Sequence, residues 1–284
     1  MGKDYWLAST EHLKDKLWFR DKEDFTAGMN FVAAEATLLE IWILAFVLMS
    51  NHVHFVLGGE RDTAISFVNR FKTRYSHYFS RKYKMGGLLR DNTIDLRSIK
   101  IGDESFERAV AYVQMNSVAA NICLHPSAYP WGTGDTFFLQ SELTGVRVGD
   151  LSARACFRTL RHKVSLPEDY ILDNRGFIHP SSYVPVKFVE SVFRSPKRMN
   201  FFLNSSSKAR HLGEGPSFSD QLLVSALHDL SVSLFRKNSF SELDESQQAV
   251  ILKQMSYRFS ADPNQLSRVM GLGYAKVCLL LDKP

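Results

Sequence analysis

Hydrophobic and polar positions alternate in two ways along the first 120 residues, with short apolar runs between longer stretches of helical period. Tyr5 to His12 has the pattern of a strand. Asp21-Lys22-Glu23 then opens a helix that runs through Leu39, with Phe25, Met29, Val32 and Ala36 at helical spacing. Ile41 to Met49 is a second strand and His52 to Leu57 a third, joined by the turn Ser50-Asn51 and closed by Gly58-Gly59, so the pair predicts an antiparallel hairpin. A helix over about Thr63 to Tyr83 follows, with Ile65, Val68, Phe71, Tyr75 and Phe79 as its apolar stripe. Leu88 to Lys100 reads as loop with a short strand. A helix from about Asp103 to Ala120 carries Phe106, Val110, Val113 and Ser117 on one face. This order of elements predicts an α+β fold with an antiparallel sheet and helices packed on it.

Beyond Pro130-Trp131 the pattern weakens. Residues 133–215 mix short helical pieces, such as Leu151 to Lys163, with Gly, Ser and Pro, and are expected to form an extension packed on or near the first domain. Ser205-Ser206-Ser207 and Gly213-Glu214-Gly215-Pro216 predict a linker. Residues 216–284 are expected to be an all-α domain. Within it, Asp262-Pro263 is a helix start, Gly271-Leu272-Gly273 a turn, and Tyr274 to Leu281 a further helix. The spacing of Leu266, Val269, Leu272 and Val277 fits a helix-turn-helix that binds DNA, and equally a helical bundle with a glycine turn. Lys276 is the single basic residue of that last helix.

Composition narrows the classes. The 284 residues are 45% hydrophobic, enough for a large core, and the three cysteines, Cys123, Cys156 and Cys278, form no CxxC pair, which argues against a disulfide framework or a cysteine-rich zinc site. The longest apolar run is about half of the ~20 residues of a membrane span, and the first residues lack a signal-peptide layout. A cytoplasmic protein is the expectation. The net charge of +5 is unevenly placed: residues 61–100 hold ten Lys or Arg against three Asp, leaving the remainder slightly acidic. Arg70, Arg74, His77 and Arg81 share one face of the predicted helix. Such a face, with Tyr75 and Tyr78 beside it, suits a phosphate backbone and unstacked bases, although charge runs are also common on plain solvated helices.

His52 and His54 stand at i and i+2 on a strand, so both imidazoles project from one face and can reach one metal ion. Tyr112 and Asn116, one helical turn apart, also share a face.

At these residues the chain resembles a known family. Met49-Ser50-Asn51-His52-Val53-His54 is similar to the His-hydrophobic-His signature of the HUH single-tyrosine transposases, of the REP-associated type, with Ser50 where that family usually has proline. Ala111-Tyr112-Val113-Gln114-Met115-Asn116-Ser117-Val118-Ala119-Ala120 is similar to the family's tyrosine helix, with Ser117 again in place of a proline, and Tyr129-Pro130-Trp131 resembles the aromatic segment that closes its catalytic domain. Together these span residues 1–132. The resemblance implies a ferredoxin-like (RRM-like) core, Tyr112 as nucleophile, and a divalent cation, Mg²⁺ or Mn²⁺, held by His52, His54 and Asn116. It implies cleavage and rejoining of single-stranded DNA beside hairpins or palindromic repeats through a 5′-phosphotyrosine, in a bacterial, nucleoid-associated setting. Arg70, Lys72, Arg74, Arg81, Lys82 and Arg90 are the candidate DNA contacts. A homodimer follows from the need for two active sites in a complete strand exchange. Three other readings stay open: a domesticated transposase that grips hairpins as a repressor without cutting, a metal-dependent hydrolase in which water attacks, and a nucleophilic Tyr75 or Tyr78.

Overall fold

The structure, a computed structural model, describes residues 4–139, 143–161, 164–208 and 218–282. The linker predicted at Gly213 to Pro216 lies outside them. The chain divides into two compact units: Met1–Glu11, Glu23–Met49 and Val53–Glu214 form one, and His12–Lys22, Ser50–His52 and Gly215–Pro284 the other.

The first unit begins β1 (Tyr5–Thr10), α1 (Lys22–Leu39), β2 (Trp42–Met49), β3 (His52–Gly58), α2 (Arg61–Tyr83) and β4 (Ile94–Ile99). The strands form one sheet in the order β2-β3-β1-β4, with β1 antiparallel to both β3 and β4. The apolar runs have a plain cause: β3 is buried along its whole length and β2 at every residue but Trp42, because helices cover both faces of the sheet. On one face Phe55 meets Phe67 and Phe71 of α2, with ring centroids 5.2 and 5.6 Å apart. On the other, Val56 joins Phe106, Val110 and Val113 of α3 (Ser105–Gln114) in a shared core. Each such buried side chain contributes about 1.5–3 kcal/mol. The edge strand β4 is only partly covered: Asp95, Arg97 and Ser98 are exposed, Ile94 and Leu96 half-buried, and Ile99 buried.

The helix predicted over Asp103 to Ala120 is broken at Met115 into α3 and the single turn α4 (Asn116–Ala119). The side-chain amide of Asn116 donates to Tyr112 O (2.8 Å) and Val113 O (3.3 Å) at that break, a local bond of the kind by which Asn competes with regular helix.

The free edge of β2 is closed by the segment Tyr129 to Thr133. Leu48 N–H donates to Trp131 O (2.8 Å), Thr133 N–H to Phe46 O (3.0 Å), and the Tyr129 hydroxyl to Leu48 O (2.8 Å). Gly132 is required there, since a Cβ would lie 2.4 Å from Phe46 O. The following residues supply β5 (Gly145–Arg147), α5 (Ala153–Leu160), β6 (Ile171–Asp173), α6 (Val186–Phe193) and α7 (Pro196–Ser205). Val189, Phe193, Met199, Phe202 and Leu203 pack with α3, while Val148, Leu160, Leu166 and Ile178 pack on Ala33 and Ala34 of α1. Ser205, predicted in a linker, is the last residue of α7.

The second unit holds α8 (Asp220–Phe235), α9 (Glu245–Phe259), α10 (Pro263–Met270) and α11 (Tyr274–Leu281) around Leu223, Ile251, Leu252, Met255, Leu266, Val277 and Leu280. Its helix starts follow the sequence signals: Asp244 and Gln247 form a capping box, and Asp262 caps α10 ahead of Pro263. Gly271 takes the left-handed conformation (φ 67°) that ends α10. In the same unit Ser50 Oγ donates to Asp220 Oδ2 (2.5 Å), and Arg268 Nε donates to the same carboxylate (3.2 Å). No helix among the described residues is long and apolar enough to cross a membrane.

Candidate functional site

The two histidines of the motif project from the same face of β3 as Val56, the face toward α3. Both are buried, at 6% and 2% exposure. Their Nδ1 atoms are held from behind: His52 Nδ1 lies 2.9 Å from Asn51 Oδ1, and His54 Nδ1 lies 2.8 Å from Ser9 Oγ. Because an amide oxygen can only accept, His52 carries its proton on Nδ1, which leaves Nε2 as the nitrogen able to ligate. Ser9 faces His54 because the β1–β3 register pairs those two residues. Two residues past the end of β1, His12 stacks on His52 with ring centroids 3.6 Å apart. His12, His52 and His54 each offer a ligand atom, all within 4.8 Å of one another, a donor set that suits a divalent transition metal. Sequence reasoning missed His12. The signal was present, since extending the β1–β3 pairing by three residues brings it beside the motif.

Tyr112, on α3, meets this strand directly: its ring stands edge-on to His54, with centroids 5.4 Å apart and planes at 80°. Lys208 Nζ lies 5.1 Å from the centre of the Tyr112 ring. Burial pushes the Tyr112 phenol above its ordinary value, Arg97 on β4 draws it down, and Asp95 raises it. Burial lowers the Lys208 ammonium. Asn116 is buried on α4 with its amide nitrogen bonded to the helix backbone, which leaves Oδ1 as the atom able to ligate. Arg108 is engaged with Glu104 at 2.8 Å.

The basic residues of α2 sit against acids of α1. Glu35, at 1% exposure, pairs with both Arg70 and Arg74, and Asp24, fully buried, pairs with Lys82. Lys72 is itself buried, with its ammonium on Asn92 O. Arg81 and Arg90 are exposed and form no ion pair among the described residues. Tyr75 is fully buried, and Tyr78 donates to Asp24 at 2.9 Å. The stacking face expected of Tyr75 is therefore closed by the core. On α11, Lys276 is paired with Glu245 of α9.

No family model matches this sequence. A comparison with curated proteins finds no match. Among solved structures, a REP-associated tyrosine transposase bound to a REP hairpin is similar over 47% of this chain and 78% of its own, at 15% identity and a TM-score of 0.37, a likeness too slight to carry an argument.

Proposed function

We propose that this chain cleaves and rejoins single-stranded DNA beside a hairpin, with Tyr112 as nucleophile, on a ferredoxin-like core. The observation that carries the reading is the edge contact of Tyr112 with His54, which brings a phenol from α3 to the face of β3 that bears the two histidines. The order β1-α1-β2-β3-α2-β4 and the sheet order β2-β3-β1-β4 support the core.

His52 and His54 would hold the cation, with His12 or Asn116 as the further donor. A bound Mn²⁺ or Mg²⁺ supplies Lewis acidity to a non-bridging phosphate oxygen, and imidazole donors favour Mn²⁺. Tyr112 Oη forms a bond to phosphorus as it loses its proton, the bond to the 3′ oxygen breaks, and a 5′-phosphotyrosine and a free 3′-OH result. One ester replaces another, so the 3′-OH can reverse the step without ATP. Arg81 and Arg90, exposed and outside ion pairs, are the foremost of the six proposed DNA contacts, and Arg70 joins them through its half-exposed guanidinium. A second copy of the chain supplies the second site of a full exchange.

The test is denaturing electrophoresis after incubation with labelled single-stranded DNA carrying imperfect palindromes, in Mn²⁺ or Mg²⁺. A covalent adduct absent from Tyr112→Phe and from chelated samples is expected. Hairpin binding without an adduct, in both metals, would replace this reading with that of a hairpin-binding repressor.

A further inference from the structure

A cavity of ≈370 Å³ opens beside α2, lined by Phe31 together with Arg74, His77, Tyr78, Arg81, Lys82 and Arg161. We propose that it binds the phosphate group of a nucleotide. The claim for phosphate rests on the cavity alone, and the choice of a nucleotide as its bearer rests on the DNA reading above.

Five of the seven lining side chains are cations or a histidine, and the other two, Phe31 and Tyr78, are aromatic. Three are fixed by carboxylates: Arg74 by Glu35, Lys82 by Asp24 and Glu23, and Arg161 by Glu23. These acids orient their partners without cancelling the charge. The four lining cations, Arg74, Arg81, Lys82 and Arg161, meet three carboxylates, Glu35, Asp24 and Glu23, and Arg81 has none, so the lining keeps an excess of one positive charge, the sign that draws a phosphate. One guanidinium nitrogen of Arg74, Nη1, is buried and meets no hydrogen-bond acceptor among the described residues. A buried donor left in this state costs about 1–3 kcal/mol, and an oxyanion in the cavity is the kind of acceptor that would relieve it.

The size and the wall favour a nucleotide over bare phosphate. The volume lies within the range of small-molecule sites. Arg161 lies over the Tyr78 ring, 5.0 Å from its centre, and its side chain is 43% exposed, leaving a guanidinium surface on which a base can stack. Tyr78 is held in place by its bond to Asp24.

The experiment is titration calorimetry of the full chain at low salt with thymidine 5′-monophosphate, thymidine and inorganic phosphate, and in parallel with an unstructured thymidine oligonucleotide. The monophosphate is expected to bind and thymidine not to. Arg81→Ala, at an exposed and unpaired position, is expected to weaken binding at least tenfold with an unchanged thermal midpoint. Arg161→Ala is expected to remove the preference for the monophosphate over inorganic phosphate. Binding confined to the oligonucleotide would overturn the site, since a backbone contact at Arg81 outside the cavity suffices for it. Failure of all the phosphate ligands to bind, or binding indifferent to Arg81→Ala, would overturn it. Because the Tyr112 adduct is scored separately, an adduct from a wild-type protein whose cavity binds nothing would sink this inference alone, and phosphate binding without an adduct would sink only the strand-transfer reading.

Discussion

Ser9 Oγ lies 2.8 Å from Nδ1 of His54, across the pairing of β1 with β3. A hydroxyl in that position orients the ring and sets which nitrogen would face a metal bound as proposed. Ser9→Ala is therefore expected to weaken Mn²⁺ binding roughly 10–100-fold, the usual cost of losing such a partner. Calorimetry with Mn²⁺ alone reads this without any DNA. An affinity unchanged in Ser9→Ala but lost in His54→Ala would show that the hydroxyl has no part in orienting the ring.

The third donor can be decided in the same titration. His12→Ala and Asn116→Ala remove the two candidates one at a time, and the geometry of the three imidazoles predicts the larger loss for His12→Ala. The reverse order would return the role to Asn116.

Charges on β4 act on the Tyr112 phenol. Asp95 raises the Tyr112 phenol and Arg97 lowers it, although burial is the larger cause of its elevated value. Asp95→Asn should therefore let the phenol ionise at lower pH, moving the pH profile of adduct formation toward neutrality, and Arg97→Gln should move it the other way. Both residues are more than half exposed, so each effect is a few-fold at fixed pH. Profiles that superimpose for all three proteins would exclude phenol ionisation as the controlling step.

How far the sequence carried varies by element. The strands, α1 and α2 were legible because their periods of 2 and 3.6 are set by burial, and β3 kept the alternation that puts both histidines on one face. The kink at Met115 was not, since it depends on Asn116 turning its amide onto its own helix. Neither was the state of the basic face. Arg70, Arg74 and Lys82 read as one-signed along α2, yet their partners Glu35 and Asp24 belong to α1, 35 to 58 residues away in sequence, and pairing across that distance is a tertiary fact.

That pairing makes Glu35 a stability determinant. Glu35→Ala leaves Arg74, only 13% exposed, without its anion, and should cost about 3 kcal/mol, read as a lower urea midpoint. A loss below about 0.5 kcal/mol would mean that the two arginines are solvated without it.

His179 gives the fold a pH dependence of its own. It is buried, and its Nδ1 accepts the N–H of Ser181 at 3.2 Å, which only the neutral ring can do. Burial lowers its pKa below 6.5, helped by Arg175 and opposed by Asp135 and Asp173. A base whose folded pKa is depressed contributes stability that is complete above 6.5 and is lost as pH falls through the folded value. The thermal midpoint should thus fall more between pH 7.5 and 5.5 in the wild type than in His179→Asn, which keeps an acceptor and cannot titrate. Equal falls would assign the acid sensitivity to other groups.

Because β3 alternates, the residues that would serve the metal and those that fill the core are separated by one position: His52, His54 and Val56 look one way, Val53, Phe55 and Leu57 the other. A deletion inside 52–57 would drive an imidazole into the aromatic layer of Phe67 and Phe71 and push Phe55 toward Tyr112. Chains with such a deletion would lose solubility together with activity, so in a random indel library this strand should tolerate conservative exchanges at odd positions and no change of length at all.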